Sequence, residues 1–314
     1  MLRLFFSTQL RNFLLLGALA LVLVYACVSP KIMLSPSEMQ IYQQLSSVCK
    51  EFPTQIHYLY TQERKVRYLV VGHDSLPTLM MLHGSPGSMM SYWDYLLDKS
   101  LLKQFRLVVP DKLGYGGSEL GKTEISLEKQ AYYMHLVLKK EVKNKQPIFL
   151  MGTSYGGSVA ARLAMDYPES IQGLMLVSAS LFPNMETTYL ISYRPFWQMV
   201  RWLLPKALWV ANDEKLSHHE QLAKMQNLWY KIHVPCLIIH SYQDNLISVN
   251  NALTAYKQLK NAPVKLILLE DGNHYIIWNY QNLIVNNLLQ LKAVVLGKLK
   301  ENIWVKVVRL GQKE

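Results

Sequence analysis

Short apolar runs recur along the chain, with room for one helix between most successive pairs. Thr78 to Leu82, Arg106 to Val109, Pro147 to Met151, Gly173 to Val177, Val234 to His240 and Val264 to Leu269 read as strands. The intervening stretches Met90 to Lys103, Ser126 to Lys143, Tyr155 to Tyr167 and Val249 to Lys260 read as helices, and Tyr275 to Leu296 as a last one. Strands separated by helices imply a parallel sheet and an α/β fold. Ahead of them, two β-rich runs, Gln55 to Thr61 and Lys65 to Gly72, flank Gln62-Glu63-Arg64 and predict an antiparallel hairpin.

The alternation pauses between Ser180 and about Tyr230. That stretch holds Trp197, Trp202, Trp209 and Trp229, which predicts a folded helical insertion rather than a loose linker. The boundaries that follow are an N-terminal segment 1–30, a polar linker 31–54, a core formed by 55–180 and 231–300, an insertion 181–230 and a tail 301–314. The tail carries Ile303, Trp304, Val305, Val307 and Val308 among basic residues and is expected to pack on the sheet edge.

Residues 1–30 contain no acid. Arg3 and Arg11 precede the apolar run Phe13 to Val28, which ends at Ser29-Pro30-Lys31. This order is that of a signal peptide, and the run is also nearly long enough for an uncleaved anchor. Either reading places the bulk of the chain on the extracytoplasmic side, exported or membrane-anchored. Val24-Tyr25-Ala26-Cys27 resembles the lipobox of bacterial lipoproteins, with Tyr25 departing from it, so acylation at Cys27 stands beside an ordinary helix cysteine.

Composition narrows the class. Among 314 residues, 50% are hydrophobic, enough to close a sizeable core, and the three cysteines cannot build a disulfide framework. Cys236 lies in an apolar run and reads as a buried thiol rather than a partner for Cys49. The net charge is +11, and most of the excess lies beyond residue 30. A basic surface of this kind suits anionic lipid headgroups, and no nucleic-acid motif accompanies it. Nothing in the sequence sets the oligomeric state.

The candidate chemistry begins at Gly152-Thr153-Ser154-Tyr155-Gly156, a G-x-S-x-G pentapeptide where a predicted strand turns into a helix. Glycines at 152 and 156 let strand and helix approach closely enough to hold Ser154 in a strained, exposed turn. A serine hydroxyl needs a base to take its proton, and the base needs a carboxylate to orient it. Asp244 follows the strand Val234 to His240, and His274 follows Val264 to Leu269. Both therefore fall at carboxyl ends of strands, where open α/β sheets assemble their sites.

Competing bases are His240, His233 and the pair His218-His219, which read as packed or solvent-facing. Asp271 stands too near His274 in sequence to reach around its ring. The oxyanion of a tetrahedral intermediate would take backbone N–H groups from Tyr155 and, in the loop His83-Gly84-Ser85-Pro86-Gly87-Ser88, from Ser85.

Together these segments, with the loop Asp111-Lys112-Leu113-Gly114-Tyr115-Gly116-Gly117-Ser118 and Gly272-Asn273-His274, resemble the α/β-hydrolase superfamily over residues 55 to 296. The resemblance implies a mostly parallel eight-stranded sheet flanked by helices, a helical cap at the insertion, and no metal or organic cofactor. It makes Asp111 a structural tie. Serine rather than aspartate at the elbow implies acyl transfer on an ester, thioester, lactone or amide.

His83-Gly84-Ser85-Pro86-Gly87 also resembles the H-G-G-P-G of proline iminopeptidases, with serine at the third place. Such a peptidase would need insertion acids to hold an ammonium, and Glu186, Asp213, Glu214 and Glu220 are the few on offer. The aromatic, Met-rich insertion, with Arg194, Arg201 and Lys206, better suits an apolar acyl chain or an anionic lipid. The expectation is a membrane-associated serine hydrolase of small-molecule or lipid acyl substrates. The alternatives are an iminopeptidase and a non-catalytic membrane-surface binding protein.

Overall fold

The computed structural model describes residues 36–142, 145–187, 197–198 and 201–311. The predicted leader, with Cys27, and Arg194 of the insertion lie outside these residues. Among the described residues no helix is long and apolar enough to cross a membrane.

The elements in chain order are α1 (Glu38–Gln44), α2 (Ser46–Cys49), β1 (Thr54–Tyr60), β2 (Lys65–Val71), β3 (Thr78–Leu82), α3 (Trp93–Leu97), α4 (Lys99–Leu102), β4 (Arg106–Pro110), α5 (Leu127–Glu141), β5 (Ile148–Thr153), α6 (Tyr155–Asp166) and β6 (Gly173–Val177). They continue with α7 (Lys206–Met225), β7 (Cys236–Ser241), α8 (Asn250–Gln258), β8 (Val264–Leu269), α9 (Ile276–Asn279), α10 (Gln281–Val295), α11 (Glu301–Trp304) and β9 (Lys306–Leu310). One sheet carries the strands in the order β1-β2-β4-β3-β5-β6-β7-β8-β9. The β1–β2 and β2–β4 pairs are antiparallel, and β3 pairs in parallel with both β4 and β5.

Successive residues of the central strands feed opposite cores, as a two-residue repeat requires. In β3, Leu79 and Met81 face a core built with α1–α4 and α10, while Met80 and Leu82 face one built with α5, α6 and α8. Helices cover both faces, which is why these strands read as continuous apolar runs rather than alternating ones.

Four sequence expectations change. The sheet has nine strands, not eight, because the tail supplies β9, which pairs in parallel with β8 at the edge. The linker contains α1 and α2, where Ile41, the junction residue Leu45 and Val48 are buried at helical spacing, with Ser37 and Gln40 forming a capping box at the start. The helix expected over Met90 to Lys103 is broken: Asp98 accepts from the Ser100 and Leu101 N–H groups and caps α4, ending α3 before it. The helix expected over Tyr275 to Leu296 is likewise split at Tyr280 into α9 and α10.

Candidate active site

Ser154 stands between β5 and α6 with φ 54° and ψ −126°, in the left-handed region that a side chain enters only under constraint. The constraint is backbone crowding. A Cβ on Gly156 would lie 2.1 Å from the Leu82 carbonyl oxygen, and one on Gly152 would lie 2.4 Å from that of Gly156. The turn can therefore close only with glycine at both places.

Three strand ends converge. The Ser154 hydroxyl lies 3.1 Å from His274 Nε2, and His274 Nδ1 lies 2.8 Å from Asp244 Oδ2. A carboxylate only accepts, so Nδ1 carries the proton and Nε2 is left to accept from the Ser154 hydroxyl. The N–H groups of Leu246 and Ile247 donate to Asp244 Oδ1, at 3.0 and 2.9 Å. Burial would raise the Asp244 carboxyl, but hydrogen bonds from His240, His274 and the Ile247 N–H hold it well below the usual range.

The oxyanion candidates flank the serine. Tyr155 opens α6, so its N–H has no acceptor within the helix. Ser85 follows Gly84, where a Cβ would stand 3.1 Å from Ser154 Cβ, so the loop after β3 presses directly on the nucleophile turn. His83 anchors that loop. Its Nε2 accepts from the Lys112 N–H at 3.0 Å, so its Nδ1 donates to the Gly84 carbonyl at 2.8 Å. Complete burial and the nearby Lys112 charge push the His83 pKa well down, which keeps this ring neutral.

Asp111 ties three segments together. Its carboxylate accepts from the Met89 and Gly117 N–H groups at 2.9 and 2.8 Å, and pairs with Arg67 Nη2 at 2.7 Å.

The other candidates sit apart from the serine. His240 Nε2 donates to the Ile247 carbonyl at 3.0 Å and lies 3.4 Å from Asp244, supporting the acid from behind. His219 and His233 are exposed, and half-buried Asp271 accepts from the Tyr280 hydroxyl through its carbonyl. Buried His218 joins a separate cluster with Glu186 and Ser158, its Nδ1 at 2.8 Å and Nε2 at 3.1 Å from them.

Sequence reasoning missed one feature beside the site. Fully buried Lys112 meets fully buried Glu214 of α7 at 3.1 Å, and Tyr115 and Gln130 donate to the same carboxylate at 2.7 and 2.9 Å. Among the described residues no group of three or more His, Cys, Asp or Glu is placed to hold a metal ion.

This topology, with a strained serine after the fifth strand and acid and base after the seventh and eighth, accompanies a match to a family model described as the alpha/beta hydrolase fold over residues 77–214. The chain has the α/β-hydrolase fold. A 1-acylglycerol-3-phosphate O-acyltransferase of Arabidopsis thaliana is 31% identical over 134 residues, 40% of this chain and 31% of the relative. A proline iminopeptidase of Lactobacillus acidophilus is 33% identical over 138 residues, 42% of this chain and 47% of the relative. The matches thus span less than half the length of these curated relatives.

The solved structure of a membrane phospholipase A superposes with a TM-score of 0.59 at 18% identity, over 91% of this chain and 99% of that one. At that identity the likeness is one of fold.

Proposed function

We propose that this α/β-hydrolase cleaves a carboxylic ester or related acyl bond, lipid esters included, through an acyl-enzyme on Ser154, with its catalytic domain held at a membrane surface. The observation that carries the reading is the continuous relay from the Ser154 hydroxyl through His274 to Asp244, with the serine in a strained turn.

In this reading the Ser154 oxygen attacks the acyl carbon while its proton passes to His274 Nε2. Asp244 keeps the ring oriented and stabilises the imidazolium. The oxyanion that forms is stabilised by the Ser85 and Tyr155 N–H groups. Collapse breaks the bond to the leaving oxygen, which takes the proton from His274 and departs as the alcohol. Water then attacks the acyl-enzyme, giving its proton to His274. The second collapse releases the acid and returns the proton to Ser154.

The state of the insertion acids favours an ester over an amino-terminal peptide. Glu186 pairs with Lys215 and His218, Asp213 with Arg201, Glu214 with Lys112 and Glu220 with Lys224. Each already has a cation from this chain, so capture of a substrate ammonium would have to break one of these pairs. The membrane placement rests on the basic, acid-free leader order and on the excess of bases beyond it.

The test is hydrolysis of a p-nitrophenyl ester series and of phospholipid vesicles by the full-length chain in detergent, beside Ser154→Ala. Ester turnover that depends on Ser154 supports the reading. Release of proline from a prolyl-naphthylamide with no ester turnover would overturn it in favour of the peptidase.

A further inference from the structure

The loop carrying the Ser85 amide is held by more than its own backbone. Tyr115 donates its hydroxyl proton to Glu214 Oε2 at 2.7 Å. Burial, and after it the Glu214 charge, hold the Tyr115 pKa well above its ordinary value, so this phenol remains a donor. With that proton given to Glu214, the 2.8 Å contact between Tyr115 and Ser85 must run from the Ser85 hydroxyl to the Tyr115 oxygen. A chain of hydrogen bonds therefore leads from the insertion helix through Tyr115 into the Ser85 loop.

The same ion pair reaches the second oxyanion donor. Lys112 Nζ lies 4.5 Å from the ring centre of Tyr115 and 4.4 Å from that of Tyr155. Gln130, which donates to Glu214, also donates to the Tyr155 hydroxyl at 3.4 Å. Lys112 additionally fixes His83 through its backbone N–H. The supports of both proposed amides thus converge on the Glu214 carboxylate.

Helix packing places it there. Ala207, Val210 and Glu214 lie on one buried face of α7, and Ala207 and Val210 form an apolar cluster with Tyr115. Seating α7 on the loop 111–118 by this apolar contact brings the carboxylate over Lys112. A buried pair of this kind is costly to assemble and is seldom a stabiliser in itself, which directs attention to what it orients.

We infer that Glu214 is a positioning residue: it couples docking of the insertion helix to a formed oxyanion hole, through Tyr115 to the Ser85 loop and through Lys112 and Gln130 to Tyr155. The inference rests on the acyl-transfer reading of the site. The chemistry is simple. Amides stabilise a developing oxyanion only if they are fixed before the charge appears, and a loop free to shift by an ångström loses much of that benefit.

The test uses the full-length chain in detergent and a p-nitrophenyl ester, with Tyr115→Phe and Glu214→Gln. Tyr115→Phe leaves the ion pair intact and is expected to lower kcat about tenfold with KM unchanged within about twofold. Affinity for a trifluoromethyl ketone, whose adduct carries an oxyanion, should fall by the same factor, while affinity for an unreactive amide of the same shape should hold. Glu214→Gln should lower kcat further, by about a hundredfold.

Because Glu214→Gln leaves Lys112 buried without its partner and can unfold, Tyr115→Phe decides the matter alone if it does. Folded Tyr115→Phe with wild-type kcat and ketone affinity would overturn the inference. So would a loss that moved KM and left kcat unchanged. A wild type that neither turns over an ester nor accepts a fluorophosphonate on Ser154 would instead show that the acyl-transfer reading had failed, and the inference with it.

Discussion

Two serines in this molecule face a histidine and a carboxylate at the same distances. Ser154, His274 and Asp244 are spaced 3.1 and 2.8 Å apart, and so are Ser158, His218 and Glu186. They differ in where the serine's proton goes. The Ser158 hydroxyl donates to the Ser180 carbonyl, so its oxygen accepts from His218, whose other nitrogen faces the Glu186 carboxylate. That ring donates at both ends and is in no position to act as a base. The Ser154 hydroxyl has His274 as its acceptor.

Their settings differ as well. Ser158 is fully buried inside α6, whereas Ser154 is half-buried on a strained turn beside the oxyanion candidates. The lesson is that three residue types at catalytic distances do not define a nucleophile. Proton bookkeeping and access do. In the second constellation the same groups hold the molecule together, joining α6 and α7 to the segment around Glu186, which bridges to Ile247 in the Asp244 loop.

This contrast can be broken first at Ser154. Ser154→Ala should lower ester turnover by ~10⁴-fold or more with its unfolding midpoint unchanged, measured by steady-state kinetics and thermal denaturation. Asp244→Asn should cost about 10³ to 10⁴ in kcat, because the amide no longer enforces the Nδ1–H tautomer. Gly152→Ala should act on the fold instead. Its new methyl would meet backbone that cannot yield, with a loss of ~4 kcal/mol or more in chemical denaturation.

The second constellation should answer to pH. Burial would raise the Glu186 carboxyl, but the His218 and Lys215 charges hold it down at about 2. A carboxyl whose folded pKa lies below its unfolded one makes the unfolded chain the better proton binder. Its stabilisation is complete above the ordinary value of 4.5 and is lost as pH falls toward 2. The stability gap between wild type and Glu186→Gln should therefore narrow by about 2 to 3 kcal/mol on acidification across that window, read from denaturation at each pH. Smallest is Ser158→Ala, which should cost about 1 to 2 kcal/mol of stability and change ester kcat by less than about threefold.

Much of this was legible in the chain because the core strands are apolar on both faces and the candidate site residues follow strand ends. The short runs from Thr78 to Leu269 mark the sheet, and Ser154, Asp244 and His274 fall where those runs stop. Helix α1 was hidden by its composition. Met39, Gln40, Gln43 and Gln44 are exposed, and the buried positions Ile41, Leu45 and Val48 are few, although their spacing and the Ser37–Gln40 capping box were readable signals. Strand β9 was obscured because it is an edge with mostly exposed residues and no strong apolar run.

The Lys112–Glu214 pair is a different case, since local pattern carries no information about a contact between residues 102 positions apart. One hint existed. Glu214 occupies the face of α7 that also holds Ala207 and Val210, where an unpaired charge would be out of place.

The most direct test of the account is to treat the full-length chain in detergent with a fluorophosphonate and map the adduct by peptide mass, in the wild type and in Ser154→Ala. The account predicts an adduct on Ser154, none on Ser158, and none in the variant. An adduct on Ser158, or a folded wild type that remains unlabelled, would contradict it.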